Sequence, residues 1–406
     1  MNGFDHIQPL TRRPAGMRRL AVLAAAAAAA ALCGCARGPA PSVREPLLFP
    51  LPPLPPRVQY LGAVSSPKDL PRRRNAFAEF ILGPEPIRYP LAKPIAAALS
   101  GSRLYICDTT LNTVLMYDLV TGEARPLLGD RGMGKIQQPN NIATDDQGHI
   151  YVADKMRGAV LVYGPDEQFM TAWGRPGEIE PVAVAVGSDR LYVADVKNHR
   201  IEVWSRTDGA PIRTIGQLGN EPGEFQFPTQ LTLDAAGSLY VTDTGNARVQ
   251  KFSPGGELLA HFGQFGRALG HFAWPKGMDV DGRGRIYVAD SRFCNVQIFD
   301  PEARLLLFFG GPGPDRGNLD LPAGLKVYPW PGGIPWLEQK LAPGFEPEFL
   351  VIVVSQKGEG LINFYAVRAD GADEPGASAT PDAAAPGDND QRPAADGATT
   401  RNGETK

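Results

Sequence analysis

The sequence predicts an all-β protein, specifically a six-bladed β-propeller, from three observations. A phrase of the form Leu/Ile-Tyr-Ile/Val-x-Asp recurs with near-regular spacing, its surroundings alternate between apolar and polar residues, and glycine (46) and proline (39) are frequent among 406 residues. The phrases end at aspartates that are 46, 41, 48 and 47 residues apart: Asp108, Asp154, Asp195, Asp243 and Asp290. Alternation favours strands, and four strands in about 46 residues are the unit of a propeller blade.

Composition excludes several classes of protein. The chain has 41 basic and 44 acidic residues, so its net charge of −3 supplies no general attraction to nucleic acid. An apolar content of 43% is too high for a fully disordered chain, and four cysteines are too few for a disulfide scaffold. We therefore expect a folded protein without a nucleic-acid partner.

The first 35 residues have the features of a targeting segment. Arg18 and Arg19 precede an apolar run, residues 20–32, which suits a signal peptide but is short for a membrane span of about 20 residues. The run ends in Leu-Cys-Gly-Cys, which resembles the lipobox of bacterial lipoproteins, and this resemblance implies that Cys35 is lipidated and becomes the mature N-terminus. An ordinary cleaved signal with incidental cysteines is the alternative.

The same resemblance predicts where the protein resides. Ala36 stands where inner-membrane lipoproteins carry aspartate, so we expect an outer-membrane anchor with the body facing the periplasm or the cell surface. A lipid would make the protein a tethered soluble domain. Translation from Met1 or from Met17 is left open, because Met17 directly precedes the arginine pair.

Composition divides the remaining chain into three parts. Residues 36–56 are rich in proline, which predicts an extended linker. Residues 372–406 contain no aromatic side chain and predict a disordered tail. The propeller is therefore expected in residues 57–371.

The sixth repeat is degenerate. Residues 321–327, 349–354 and 361–367 provide three strands, and no fourth strand follows them. We predict that residues 57–64, from the other end of the body, supply the missing strand, because a ring is stable when its last blade is hydrogen-bonded across both termini. Six units account for the body length once an insert at 328–348 and residues 65–84 are allowed for.

These repeats resemble NHL repeats. The resemblance is carried by the glycine and Phe-x-x-Pro pattern of residues 223–228 and 270–275 together with the Tyr-Val-x-Asp strands. It covers roughly residues 85–367 and is most specific from 215 to 311. The family implies a propeller that serves mainly as a platform for binding protein or other ligands, with some enzymatic members.

The loops between the second and third strands should gather on one face of the ring. The recurring aspartates are interpreted as turn residues whose side chains accept backbone hydrogen bonds. Basic residues between them favour an anionic ligand, with a merely solvated rim as the alternative. The candidate binding residues are Lys155, Arg157, Lys197, His199, Arg200, Arg248, Arg292 and Lys357.

No residue is predicted to be catalytic, and no metal or other cofactor is predicted. The histidines (His149, His199, His261 and His271) fall at places in the repeat that should not converge, which disfavours a histidine zinc site. A calcium site would have to take the turn aspartates away from their turns. No serine or cysteine lies in a recognisable nucleophile motif.

The insert of the last repeat carries three aromatic residues, Trp330, Trp336 and Phe345, among five prolines. Such a loop is a candidate interface, and a lid that packs over the degenerate blade is the alternative.

Cys107 and Cys294 lie in non-adjacent repeats, so we predict two unpaired thiols.

Together these features predict a lipid-anchored, monomeric scaffold of the cell envelope that binds a protein, peptide or polysaccharide partner. The alternative is a metal-dependent lyase or lactonase-like enzyme with its site at the mouth of the central channel.

Overall fold

The computed structural model describes residues 45–51, 54–71, 81 and 88–368. The predicted signal segment with Cys35 and the predicted tail lie outside the described residues. In this part of the chain, no helix has the length and apolar character that crossing a membrane requires.

Six antiparallel sheets form a closed ring of blades. The first strand of each sheet contacts the first strand of the next, and that of the sixth contacts that of the first. Blade 1 comprises β3 (Pro94–Ser100), β4 (Arg103–Asp108), β5 (Thr113–Asp118) and β6 (Ala124–Pro126). Blade 2 comprises β7 (Pro139–Thr144), β8 (Ile150–Asp154), β9 (Ala159–Tyr163) and β10 (Phe169–Gly174). Blade 3 comprises β11 (Pro181–Val186), β12 (Arg190–Asp195), β13 (Arg200–Ser205) and β14 (Pro211–Ile215).

The second half of the ring has the same plan. Blade 4 comprises β15 (Pro228–Leu233), β16 (Leu239–Asp243), β17 (Arg248–Phe252) and β18 (Leu258–Phe262). Blade 5 comprises β19 (Pro275–Val280), β20 (Ile286–Asp290), β21 (Asn295–Phe299) and β22 (Leu305–Gly310). Blade 6 comprises β23 (Pro322–Pro329), β24 (Pro347–Ser355), β25 (Ile362–Arg368), β2 (Val58–Val64) and β1 (Leu47–Phe49). Short helices are Pro67–Asp69, Gly132–Gly134, Thr244–Asn246 and Pro335–Glu338.

The predicted closure by an N-terminal strand is confirmed. Strand β2 pairs with β25 in antiparallel register from Val58 opposite Val367 to Val64 opposite Ile362. Strand β1 adds a fifth strand outside β2, within residues that the sequence predicts as linker. Leu47 and Phe49 pack against the core between blades 5 and 6, which explains why this short apolar triplet joins the sheet.

Two strands of blade 6 are longer than predicted. Strand β23 continues to Pro329 and β24 begins at Pro347, so the insert is limited to residues 330–346. Both prolines lie at strand ends, where the missing N–H costs little.

The recurring phrase is apolar on both sides because each blade is covered on both sides. In β8, Ile150 and Val152 pack in the cluster between blades 1 and 2, while Tyr151 and Ala153 pack in the cluster between blades 2 and 3. The described chain has six such clusters, one for each pair of neighbouring blades. The apolar stretch of each phrase therefore holds three blades together.

The tyrosine and the aspartate of the phrase serve opposite faces of the ring. The hydroxyl of Tyr287 donates to Asp281 Oδ2 over 2.9 Å in the turn between β19 and β20. Asp290, at the other end of the same strand, accepts hydrogen bonds on the opposite face. We call the face that carries the five recurring aspartates the aspartate face.

Candidate functional site

The five recurring aspartates stabilise the aspartate face. Each side chain accepts a hydrogen bond from a backbone N–H of the connection that leads into its blade, as Asp154 does from Gln137 (2.6 Å) and Gln138 (3.0 Å). Asp154 also accepts from the N–H of Arg157 in its own turn, over 3.1 Å. All five are buried. The geometry matches the predicted turn role, and the carboxylate oxygens already accept backbone hydrogen bonds.

Asparagines support the same turns. Asn198 Nδ2 donates to Glu178 O and Asn246 Nδ2 donates to Gly219 O, each bridging a turn to the preceding connection. Asn112 takes the position with a left-handed backbone (φ 52°) in blade 1. His199, Ala247 and Cys294 occupy that left-handed position in other blades.

Proline begins every inner strand, and the residue after it has no opposite residue on the second strand. The inner and second strands shift register directly after this proline in each blade, as between Pro139 and Asn141. Such bulges redirect a side chain. We call the six residues after the prolines the mouth residues; they are Ile95, Asn140, Val182, Thr229, Lys276 and Ala323.

A second set of six residues surrounds the mouth. We call the residues before the prolines the rim residues; they are Lys93, Gln138, Glu180, Phe227, Trp274 and Leu321. In every blade the carbonyl of the rim residue accepts a hydrogen bond from the residue after the recurring aspartate, or after Ser355 in blade 6, over 3.0–3.3 Å. The rim backbone is therefore fixed, and its side chains are free to vary.

Contacts between blades lie one residue deeper than the mouth residues. Asn141 Nδ2 of blade 2 donates to Gln230 Oε1 of blade 4 over 2.9 Å, while Asn141 Oδ1 accepts from the Val184 N–H of blade 3. On the other side of the ring, a Cβ atom at Gly277 would lie 2.7 Å from the backbone of Gly324. Contacts between blades 2 and 4 and between blades 5 and 6 therefore narrow the channel one residue below the mouth.

Family comparison agrees with this architecture. The model of the NHL repeat matches residues 179–204 and 225–252, which fall in blades 3 and 4. This chain is a six-bladed β-propeller, and two of its blades contain segments that match the NHL repeat. The predicted resemblance is thus confirmed.

Solved structures with the same fold differ widely in sequence from this NHL propeller. A structural genomics protein of unknown function from Bacteroides thetaiotaomicron is similar over 77% of this chain and 76% of its own, with 16% identity and a TM-score of 0.54. A gluconolactonase from Xanthomonas campestris is similar over 68% and 86%, with 15% identity and a TM-score of 0.49. A virginiamycin B lyase from Staphylococcus aureus is similar over 69% and 86%, with 12% identity and a TM-score of 0.47. At 16% identity the likeness to the first of these structures shows the fold alone.

Most of the basic residues proposed as ligand contacts are engaged within the NHL propeller. Arg248 is buried and binds Asp243 together with three backbone carbonyls. Arg200 pairs with Glu202, and Lys155 Nζ lies 3.1 Å from Glu180 Oε2. Arg157 and Lys197 donate to backbone carbonyls. His199 Nδ1 accepts from the N–H of Phe227.

Arg292 and Lys357 are the two residues of that set whose side chains are exposed and unpaired within the described chain. Most of the basic side chains on the loops therefore stabilise the turns of the propeller and are not free to bind a ligand. The centre of the face, which the sequence analysis did not single out, carries two further lysines, Lys93 and Lys276, that form no ion pair among the described residues. The centre of the face can be located in the sequence as the residues on either side of each inner-strand proline.

The histidines are held in different parts of the propeller. His149 contacts Asp145 over 2.9 Å on the face opposite the aspartates, and His199 binds the rim backbone. His261 lies on the outer strand β18, while His271 Nε2 is 2.9 Å from Gln264 Nε2. In the described part of the chain, no three His, Cys, Asp or Glu side chains are placed to share a metal ion.

The aromatic insert packs on the outside of the NHL propeller. Phe345 is buried, and Trp330 and Trp336 pack partly buried against the core between blades 6 and 1. Trp336 meets Phe364 edge to face at 5.1 Å. Gln59 of β2 exchanges two hydrogen bonds with the insert backbone, at Lys340 and Ala342. This burial is what the lid alternative expects.

Cys107 and Cys294, the two cysteines of the described residues, are unpaired, as predicted. Cys107 lies in the core between blades 1 and 2, and burial raises the pKa of its thiol well above the ordinary value. Cys294 is half-buried in a turn on the aspartate face.

Proposed function

We propose that this NHL propeller is a cell-envelope binding scaffold, tethered by lipid at Cys35, and that its aspartate face recruits a protein partner. The observation that supports the proposal is the concentration of exposed apolar side chains on that face. Phe227 and Trp274, at the rim, are 50% and 54% exposed. Further out the face exposes Met133, Met156, Leu218 and Phe265.

These residues lie on the aspartate face because their segments are hydrogen-bonded to its turns. Arg157 of a blade 2 turn donates to Met133 O over 2.7 Å, and Asn246 of a blade 4 turn donates to Gly219 O over 3.0 Å. Aromatic residues and methionine are enriched in protein interfaces. Methionine also adapts its shape to a partner. This composition favours a protein or peptide over a polysaccharide.

The enzyme alternative would need carboxylates or histidines as metal ligands. The turn aspartates are occupied by backbone hydrogen bonds, and the histidines are dispersed. Metal analysis of the purified protein tests this alternative directly: a stoichiometric ion, whose removal abolishes a lyase or lactonase activity, would contradict the scaffold proposal.

Site-specific photocrosslinking in cells tests the docking face. A photoreactive phenylalanine analogue replaces Phe227 on the face or, as the matched control, Phe308 on outer strand β22, which is 46% exposed. We expect a discrete crosslinked protein at position 227 and none at 308. Crosslinks at 308 alone, or equal crosslinks at both positions, would contradict the proposed face.

A further inference from the structure

The channel mouth is electrically asymmetric. Lys276 of blade 5 is a mouth residue, and Lys93, which precedes blade 1, is a rim residue. Neither forms an ion pair within the described chain, whereas the remaining lysine near the mouth, Lys155, is paired with Glu180 on the opposite side of the ring. The inner strands of blades 5, 6 and 1 lie close together at the mouth: a Cβ atom at Gly277 would lie 2.7 Å from the backbone of Gly324, and one at Gly324 would lie 2.6 Å from Ile95 O. Lys276 and Lys93 therefore flank the small mouth residue Ala323.

The unpaired charge of Lys276 is costly where it lies. Its side chain is half-buried, and burial, followed by the repulsion of Lys93, lowers the pKa of Lys276 below the ordinary value. A negative group in the mouth would be attracted to both lysines.

Aromatic side chains border the cationic side of the mouth. Lys276 Nζ lies 5.9 Å from the ring centroid of Trp274. Phe227 is held by His199, whose ring meets the phenyl ring at 4.7 Å and whose Nδ1 accepts the Phe227 N–H over 3.1 Å. A ligand here would place a negative group beside an apolar one.

We propose that the mouth binds the side-chain carboxylate of an aspartate or glutamate in the protein partner, with Lys276 and Lys93 holding the carboxylate and Trp274 and Phe227 contacting apolar residues beside it. This inference rests on the proposed docking function. A side chain fits better than a chain end because apolar residues lie on both sides of the mouth, Met156 in blade 2 and Trp274 next to blade 5. A partner that covers both must cross the mouth.

Selection of peptides against the full-length protein tests the inference. Two displayed libraries are used, one of disulfide-closed loops without a free end and one of linear peptides with a free C-terminus. We expect the loop library to yield binders with Glu or Asp beside an aromatic or aliphatic residue. Changing that Glu to Gln, or Lys276→Gln in the protein, should weaken binding about ten-fold or more, the usual effect of losing a charged hydrogen bond.

Combining the two changes should weaken binding little further than either alone, because they remove the same contact. Lys93→Gln, at an exposed position, should weaken binding about three-fold. The control Lys357→Gln removes an unpaired lysine of the same face away from the mouth and should leave affinity unchanged. Circular dichroism establishes that each variant is folded.

Other outcomes overturn the inference in distinguishable ways. Binders that lose affinity on Trp274→Ala but not on Lys276→Gln would retain the docking face and refute the carboxylate site. Binders from the linear library alone, with the free C-terminus required, would refute the side-chain source. Binders insensitive to both substitutions, or no binders at all, would count against the docking function as well.

Discussion

At the scale of single residues, the turn aspartates are predicted to be structural. Asp154→Ala would leave the N–H groups of Gln137, Gln138 and Arg157 without their acceptor. We expect a loss of about 3 kcal/mol in the free energy of unfolding, because buried donors without partners cost about 1–3 kcal/mol each and water recovers part of this. Urea unfolding measures it. Asp315→Ala, at an exposed loop position, is the control and should change stability by less than about 0.5 kcal/mol. Equal stability of the two variants would refute the structural role.

The titration of Lys276 is a second prediction at this scale. Because burial and the charge of Lys93 lower its pKa, a larger fraction of Lys276 is neutral at mildly alkaline pH than for an ordinary lysine. Lys93→Gln removes the repulsion and should raise the pKa of Lys276, whereas Lys357→Gln should leave it unchanged. Competitive amine labelling across a pH series, with mass spectrometry of the Lys276 peptide, gives the value. A downward change in Lys93→Gln would contradict the proximity of the two lysines.

The role of the recurring aspartates could be predicted from the sequence, whereas the residues of the channel mouth could not. Asp154 belongs to a set of aspartates that recur at the same place in each repeat. A short side chain with a hydrogen-bond acceptor at the end of a strand commonly stabilises a turn, so this role can be predicted from the sequence. Whether Arg248 or Lys155 is free to bind a ligand cannot be predicted from the sequence, because each pairs with a carboxylate that the fold brings to it. The position of Lys276 at the mouth depends on the register shift after Pro275, and no single residue of the sequence predicts that shift.

At the scale of elements, the closing strand β2 is predicted to be indispensable and β1 dispensable. A chain that begins at Arg57 keeps all of β2 and loses the three register pairs of β1 together with the packing of Leu47 and Phe49 on the adjacent core. A chain that begins at Ser65 leaves β25 as an unpaired edge and exposes the core beneath it. We expect the first chain to melt cooperatively and to elute as a monomer, and the second to aggregate.

Thermal circular dichroism and size-exclusion chromatography distinguish the two truncations. A monomeric, cooperatively melting chain from Ser65 onward would show that blade 6 does not need its N-terminal strand. The sequence predicts β2 because the sixth repeat visibly lacks a strand, whereas β1 is hidden among prolines. Its three apolar residues form a strand only because β2 offers an edge and the adjacent core offers a surface.

At the scale of the whole molecule, the predicted anchor determines where the protein resides. If Cys35 carries lipid, Cys35→Ala should abolish incorporation of labelled palmitate and move the protein from the membrane to the soluble fraction. Because the body itself is predicted to be soluble, the released protein should remain folded, with an unchanged circular dichroism spectrum. The matched control Cys33→Ala should retain both lipid and membrane association. Membrane retention of Cys35→Ala without lipid would contradict the proposed anchor.

The junction of β2 with β25 also governs how the chain acquires its structure. Val58 meets Val367 only after nearly the whole sequence has been made, and bringing such distant segments together costs roughly 5 kcal/mol of chain entropy. A prematurely terminated polypeptide can assemble its early blades but retains an open seam with bare strand edges. Completion of synthesis is therefore the last requirement for a sealed molecule, and unfinished products stay vulnerable to proteases.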